Sequence, residues 1–461
     1  MRLLNSSVVF CSLLICTTAQ AEYPPTYTFD PYVRSANNYF EDVVPEPDGL
    51  SPVPMSEAAE QPSQQINNGY VQNDYVQNDY VHNDVQSILG SNGCADGSCD
   101  GPSGCNLGGY FHDLSGLTSG WYGSAAGLIM TRDMPDRRIL TSEIGDPTAR
   151  VLSNRDAGID WEGGFEVIFG RCITNNLRWE AGYWEVGPFR GSALVVDPTN
   201  SLVSTIDLNS VDIGPDAASD FFDASAGHSV YRDSDVQNIE FNMIYRPGCF
   251  GACGDGVCGG GACGYGDSGY GASCSNPWSV ELLAGIRYFR FEDFLRYGGV
   301  EGGASFGDLG GMREAYMQSD VENHLIGFQI GALIDYNVAR CWTLYARPKF
   351  GIYGNSMNHN FNVRRGDELE NGFNTFTGDT FPARSNGTDV SFLAEVDLGV
   401  RWDYNCHWSA FAAYRAVAVT GVALSDDQFP TALADIPSIR AIDSNGSLVV
   451  HGLVAGLQFQ F

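Results

Sequence analysis

The chain is almost without lysine. Lys349 is the only one in 461 residues, and 25 basic residues face 56 acidic ones for a formal charge of −31. That balance excludes nucleic acid as a partner, because phosphates are held by Lys and Arg that displace counterions. Long apolar runs are missing too. No segment after the first twenty or so residues approaches the ~18 consecutive apolar residues of a membrane helix. Any crossing of a membrane must therefore be made by strands. Histidine is scarce, at 7 residues, and none lies in a zinc-type spacing with the cysteines, so no metal is expected. His324, His407 and His451 lack an accompanying nucleophile elbow or metal pair. They read as interfacial or solvated residues, and neither catalysis nor a cofactor is expected. Asp233-Ser234-Asp235 lacks the spacing of an EF-hand.

What is present begins with an export signal. Met1 to Ala21 has a basic start at Arg2, an apolar stretch from Leu3 to Cys16, and the small-residue pattern Ala19-Gln20-Ala21. A lipoprotein signal ending at Cys16 is disfavoured by bulky Ile15. Residues 22–118 are rich in Pro, Asn, Gln, Ser and Asp, with the tandem repeat YVQND, YVQND, YVHND from Tyr70 to Asp84. They read as a low-complexity, disordered arm with a Cys/Gly patch at its end.

From residue 119 to 461 the pattern is one of alternation. Side chains on a strand face opposite sides with period two. Ten such stretches follow one another, near 121–131, 161–169, 177–186, 234–245, 280–289, 326–336, 342–350, 390–404, 408–415 and 448–461. The connections at 170–176, 337–341 and 405–407 are short. Those at 132–158, 187–230, 295–317, 354–388 and 420–446 are long. Short periplasmic turns, long external loops and an even strand count are the plan of a transmembrane antiparallel, up-and-down β-barrel. A Cys/Gly-rich insertion, 246–277, is then the one long periplasmic connection, and a hairpin hidden in 187–230 would raise the count to twelve. Pro348 has no ladder donor and predicts a bulge or irregularity in its strand. A secreted β-sandwich alternates as well, but it requires neither the regular loop pattern nor an aromatic belt. Phe169, Tyr245, Trp278, Tyr336, Trp342, Tyr404 and Trp408 gather where strands meet the short turns, as an interfacial girdle does.

The final stretch, LVVHGLVAGLQFQF, places Leu457, Phe459 and Phe461 on one side of a strand that ends on an aromatic residue. It resembles the signal by which outer-membrane barrels of Gram-negative-type bacteria are assembled, which implies outer-membrane lipid and the barrel assembly machinery as partners. AGIRYFRFEDFL and the closing GLQFQF are similar to the porin-like β-barrel proteins abundant in planctomycetes, the BBP7 family. The resemblance implies an outer-membrane barrel with its N-terminal arm in the periplasm.

The inward faces carry both signs. Glu162, Glu166, Glu180, Glu240, Glu281, Glu395, Asp397 and Asp403 stand against Arg178, Arg287, Arg347, Lys349, Arg401 and Arg415. Such charges need water or one another. They line either a narrow channel or a filled, salt-bridged interior. A barrel of ~10 strands is little wider than the eight-stranded ones that side chains fill, which favours the second. The mature chain has eleven cysteines: Cys94, Cys99, Cys105, Cys172, Cys249, Cys253, Cys258, Cys263, Cys274, Cys341 and Cys406. All lie on the periplasmic side of this plan, where disulfides are the default. Their odd number leaves a thiol for a bridge to another envelope protein. The leading reading is porin-like passive passage of small solutes through a narrow charged lumen; the alternative is a non-conducting structural or surface-interaction envelope protein anchored by the barrel and cross-linked by periplasmic disulfides.

Overall fold

A computed structural model describes residues 33–35, 120–174, 176–247, 278–339, 341–404 and 407–460. Ten long strands make the body: β1 (Trp121–Arg132), β2 (Glu162–Thr174), β3 (Leu177–Val196), β4 (Gly227–Tyr245), β5 (Trp278–Val300), β6 (Glu314–Ala339), β7 (Trp342–Arg365), β8 (Ala383–Asp403), β9 (Trp408–Val422) and β10 (Gly446–Gln460). Each pairs antiparallel with its neighbours in sequence, and β10 pairs with β1 from Val450–Arg132 to Gln460–Tyr122. The ring is closed. In lipid this is what a sheet must do, since no water is there to satisfy an open edge. The alternative of twelve strands does not hold: Leu202–Ser204 belongs to a small separate sheet with Ile139–Glu143 and Asp223–Ser225. No described helix is long and apolar enough to cross a membrane.

The strands change character half-way along. On β6 the outward residues Ile326, Phe328, Ile330, Ala332, Ile334 and Tyr336 are apolar, and Phe328 is 76% exposed. Ten residue steps at ~3.3 Å, tilted by ~40°, give a band about 25 Å tall, the height of an outer-membrane belt. Beyond His324 the outward residues of β6 become Glu322, Asp320 and Gln318, while Leu325, Val321 and Met317 point in and are buried. β5 inverts between Tyr288 and Arg290, and β7 between Ile352 and Ser356. Within the belt the barrel is apolar outside and polar inside. Above it, on the long-loop side, it is polar outside with an apolar core.

That inversion explains the main error in the expected boundaries. β7 was expected near 342–350 and runs to Arg365; β5 was expected to end near 289 and runs to Val300. The loops are correspondingly shorter. Pro348 interrupts pairing with β6, which skips from Gly331–Lys349 to Ile334–Ala346, but the register does not shift and no bulge forms there. Val33–Ser35 pairs with Ala193–Val195 on the long-loop half of β3. That sets this stretch of the arm at the outer rim, against the expected periplasmic placement. The signal peptide, the rest of the arm, nearly all of the Cys/Gly insertion and Phe461 lie outside the described residues.

The band makes a graded prediction. Ile330→Arg, mid-band, is expected to cost about 2–4 kcal/mol, and Asp320→Arg, above it, about 0–1 kcal/mol. Urea titration of the barrel in lipid vesicles measures both; equal costs would contradict the assigned belt.

Candidate functional site

The inward charges meet across the lumen. Arg415 on β9 reaches Glu166 on β2 at 2.5 Å while also gripping Asp397 on β8 at 2.8 Å. Arg287 on β5 pairs with Glu395 on β8. Lys349 on β7 contacts the same Glu395 at 3.1 Å and Glu240 on β4 at 2.7 Å. Partners that lie three strands apart around a ring of ten cannot be wall neighbours. These pairs brace the interior. Gln329 adds hydrogen bonds to Glu240 and Asn242 at 2.8 and 2.7 Å, and Asn238 accepts from Arg287.

Nearer the short turns, Glu281 takes Arg178 and Arg246, each at 2.5 Å. Asp335 and Asp403 flank Arg401 at 3.3 and 3.4 Å. Tyr122 donates to Glu180 at 2.9 Å. Arg347 lies over the Tyr345 ring, 4.7 Å from its centroid. A cavity of about 20 Å³ sits among Tyr122, Arg178, Glu180, Asp335, Arg347 and Arg401, room for about one water.

Above this lattice the lumen is apolar, filled by Phe289, Phe291, Leu325, Trp184, Val417 and Val450. The outer mouth is then crossed by the start of the β9–β10 connection. Asn323 on β6 donates to the Ala423 carbonyl at 2.8 Å and accepts from its N–H at 2.9 Å. Ser425 donates through both N–H and hydroxyl to Asp293 on β5, at 2.9 and 2.7 Å. Asp426 pairs with Arg232 on β4, on the wall opposite β9, and accepts from Asn154 at 2.6 Å. Arg132 on β1 closes the set by pairing with Asp293 at 2.7 Å. Over this strap the outer loops form an apolar cap, with Leu140, Ile206, Phe221, Phe222, Phe381, Phe429 and Ile436 buried together.

Of the charges expected inside, Glu166, Glu240, Glu281, Arg287, Glu395, Asp397, Arg401, Asp403 and Arg415 are buried. Glu162 is half-buried near the outer end of β2, away from the lattice. The girdle residues lie on one rim: Trp278 meets Tyr336 at 4.6 Å and Trp408 meets Phe459 at 4.5 Å with tilted rings, and Trp342 stacks on Trp402 at 6.1 Å. Phe169, Tyr245, Tyr404 and Leu457 are exposed on the lipid side. Trp121, Trp179 and Trp402 belong to the same rim and were not expected. His324 and His451 mark the other edge of the belt, hydrogen-bonded with Tyr288 and Tyr414 at 2.8 and 2.6 Å. His407 stacks on Phe459 in its turn.

Of the cysteines, Cys172 carries a free thiol, so its expected disulfide is not formed. Cys341 is disulfide-bonded to a partner outside the described residues. The other nine lie outside them. Among the described residues no three carboxylates, histidines or cysteines converge on a metal position. Asp233 pairs with Arg190 at 3.1 Å instead, and Ser234 turns inward to Arg132 at 3.0 Å.

Arg132, Arg232, Asp293, Asp335 and Asp426 were missed. The first three lie where the alternation inverts, and Asp426 lies in a loop; only the tertiary fold brings them together. The lattice generates a stability prediction. Glu395→Gln leaves Arg287 and Lys349 without their shared charge and is expected to cost about 3–5 kcal/mol. Replacing Arg287 and Glu395 together by Met is expected to cost less than Glu395→Gln alone; denaturant titration in lipid orders the two.

No curated protein matches this chain. Solved structures similar to it include the outer membrane protease OmpT from Escherichia coli, at 9% identity and TM-score 0.34, covering 76% of this chain and 99% of that one. The translocator domain of the autotransporter NalP from Neisseria meningitidis is 9% identical, TM-score 0.30, over 76% of this chain and 91% of that one. A major outer membrane protein from Thermus thermophilus is 10% identical, TM-score 0.26, over 74% and 99%. The family match begins in the Cys/Gly insertion and takes in β5 to β10. Residues 268–461 match the model of the family described as Putative beta barrel porin-7 (BBP7), and the fold is a closed, ten-stranded antiparallel β-barrel.

Proposed function

We propose that this barrel is a closed, non-conducting anchor that holds a folded cap of outer loops at the cell surface. The observation that carries the reading is the bracing of the lumen by Arg415–Glu166 and by Arg287–Glu395–Lys349–Glu240, each spanning three strands. Charges that line an aqueous channel are solvated and separate. Here they are buried in contact with one another. An apolar layer and a capped mouth stand in series with that lattice.

The second reading is porin-like passage of small solutes through a narrow charged lumen. The family description favours it, and so does the water-sized cavity at the short-turn end. Planar-bilayer conductance of the refolded full chain separates the two. The anchor reading expects no steps from protein whose heat-modifiable gel migration shows a folded barrel. Steps that change in size on Lys349→Gln or Glu395→Gln would establish the pore.

A further inference from the structure

The outer closure has the build of a part that moves. β9 and β10 stay paired up to Val422–Gly446, so the wall ladder is complete without the connection between them. The connection leaves the wall at a glycine on each side. Gly421 has φ +79°, and a Cβ there would lie 2.6 Å from the Val390 carbonyl oxygen. A Cβ on Gly446 would lie 2.7 Å from the Val422 carbonyl oxygen. Glycine is what such a departure from a β-wall requires.

The seat is made largely of polar contacts, and they are incomplete. Nε of Arg132, Nε and Nη1 of Arg232 and Oδ1 of Asn355 are buried without partners around it. A buried group left unsatisfied costs about 1–3 kcal/mol, a cost that outward movement of the strap into water relieves. Charge acts the same way. Asp427 stands beside Asp426, Asp443, Asp136 and Asp293, and its carboxyl is pushed up to about 6, by partial burial first and then by those neighbours. At neutral pH it is ionised against them. The apolar ties are Val422 and Leu424 into the lumen, Ala423 against Val321 and Met357, and, where the segment ends, Phe429 edge-on to Phe361 in the cap.

We propose that residues 423–428 form a displaceable strap, hinged at Gly421, tied at its far end by Phe429 in the cap, and latched by Ser425 on Asp293 and by Asp426 on Arg232. Its displacement opens a chamber beneath the cap, walled by Phe289, Phe291, Leu325 and Val419. The ion-pair lattice beneath stays in place, so the chamber has a floor and is not a pore. In that clause the inference rests on the closed-barrel reading. The latch is a single carboxylate that serves two partners: Asp293 holds Ser425 with one oxygen and Arg132 with the other.

Hydrogen exchange read by mass spectrometry on the full refolded chain tests this. The amides of 423–428 are expected to exchange at least about a hundredfold faster than those of Val417–Val419, because they open without the barrel. Ser425→Ala removes one latch bond from the strap side and leaves the wall residues untouched. It is expected to speed the strap alone, by about tenfold, the effect of a lost ~1.4 kcal/mol bond. Bilayer conductance is recorded on the same variant and is expected to stay silent. Strap amides as slow as those of β9, in both proteins, would overturn the strap while leaving the closed barrel standing. Fast strap amides together with new conductance in Ser425→Ala would uphold the strap and overturn the floor.

Discussion

A ring of ten strands leaves an interior wide enough for side chains and for little else. Every charge that points into it must therefore meet an opposite charge or a hydrogen-bonding partner, because water is too scarce to solvate it. From that constraint follow the pairs that cross from β9 to β2, from β5 to β8 and from β7 to β4. They do more than cancel charge. By tying walls that are not neighbours, they hold the section of a barrel whose ladder bonds run only between adjacent strands. Buried ion pairs are weak evidence of net stability, since desolvation offsets much of the attraction. What they supply here is a defined interior.

The second constraint is the solvent outside. Lipid demands an apolar outer face, and the interior of the same stretch is then free to be polar. Once the strands rise above the lipid, water takes the outer face and the only place for a hydrophobic core is within. Phe289 and Phe291 follow Arg287 on the same inner line of β5 for this reason. The molecule is thus a membrane barrel continued upward as a soluble one. Its cap of loops packs on that upper core, where Tyr297, Met317, Phe361 and Val363 are buried with loop residues.

Strands inside the belt were legible in the sequence because one face is apolar over many positions, as in Val390 to Trp402 on β8. The aromatic rim and the closing β10–β1 seam were legible from Trp278, Tyr336, Trp408 and Phe459. The upper halves were not. Asn358, Asn360 and Asn362 against His359, Phe361 and Val363 still alternate, but with the phase reversed, and a search for outward apolar faces passes over them. Inward charges could be named from register alone. Their partners could not, because strand spacing says which way a side chain points and nothing about which distant wall it reaches. Asp426 shows the limit most plainly: it lies in a connection between strands, and only the folding of the strap sets it on Arg232.

The central claim is that the lumen is dry and cross-braced, and a double-mutant cycle between Arg415 and Glu166 tests it most directly. Arg415→Met, Glu166→Gln and the double variant are compared by denaturant titration in lipid vesicles. Contact in a filled interior predicts a coupling of about 1.5–3 kcal/mol. A coupling below about 0.5 kcal/mol, the range of solvated pairs, would mean that water separates the two walls and that the barrel is open.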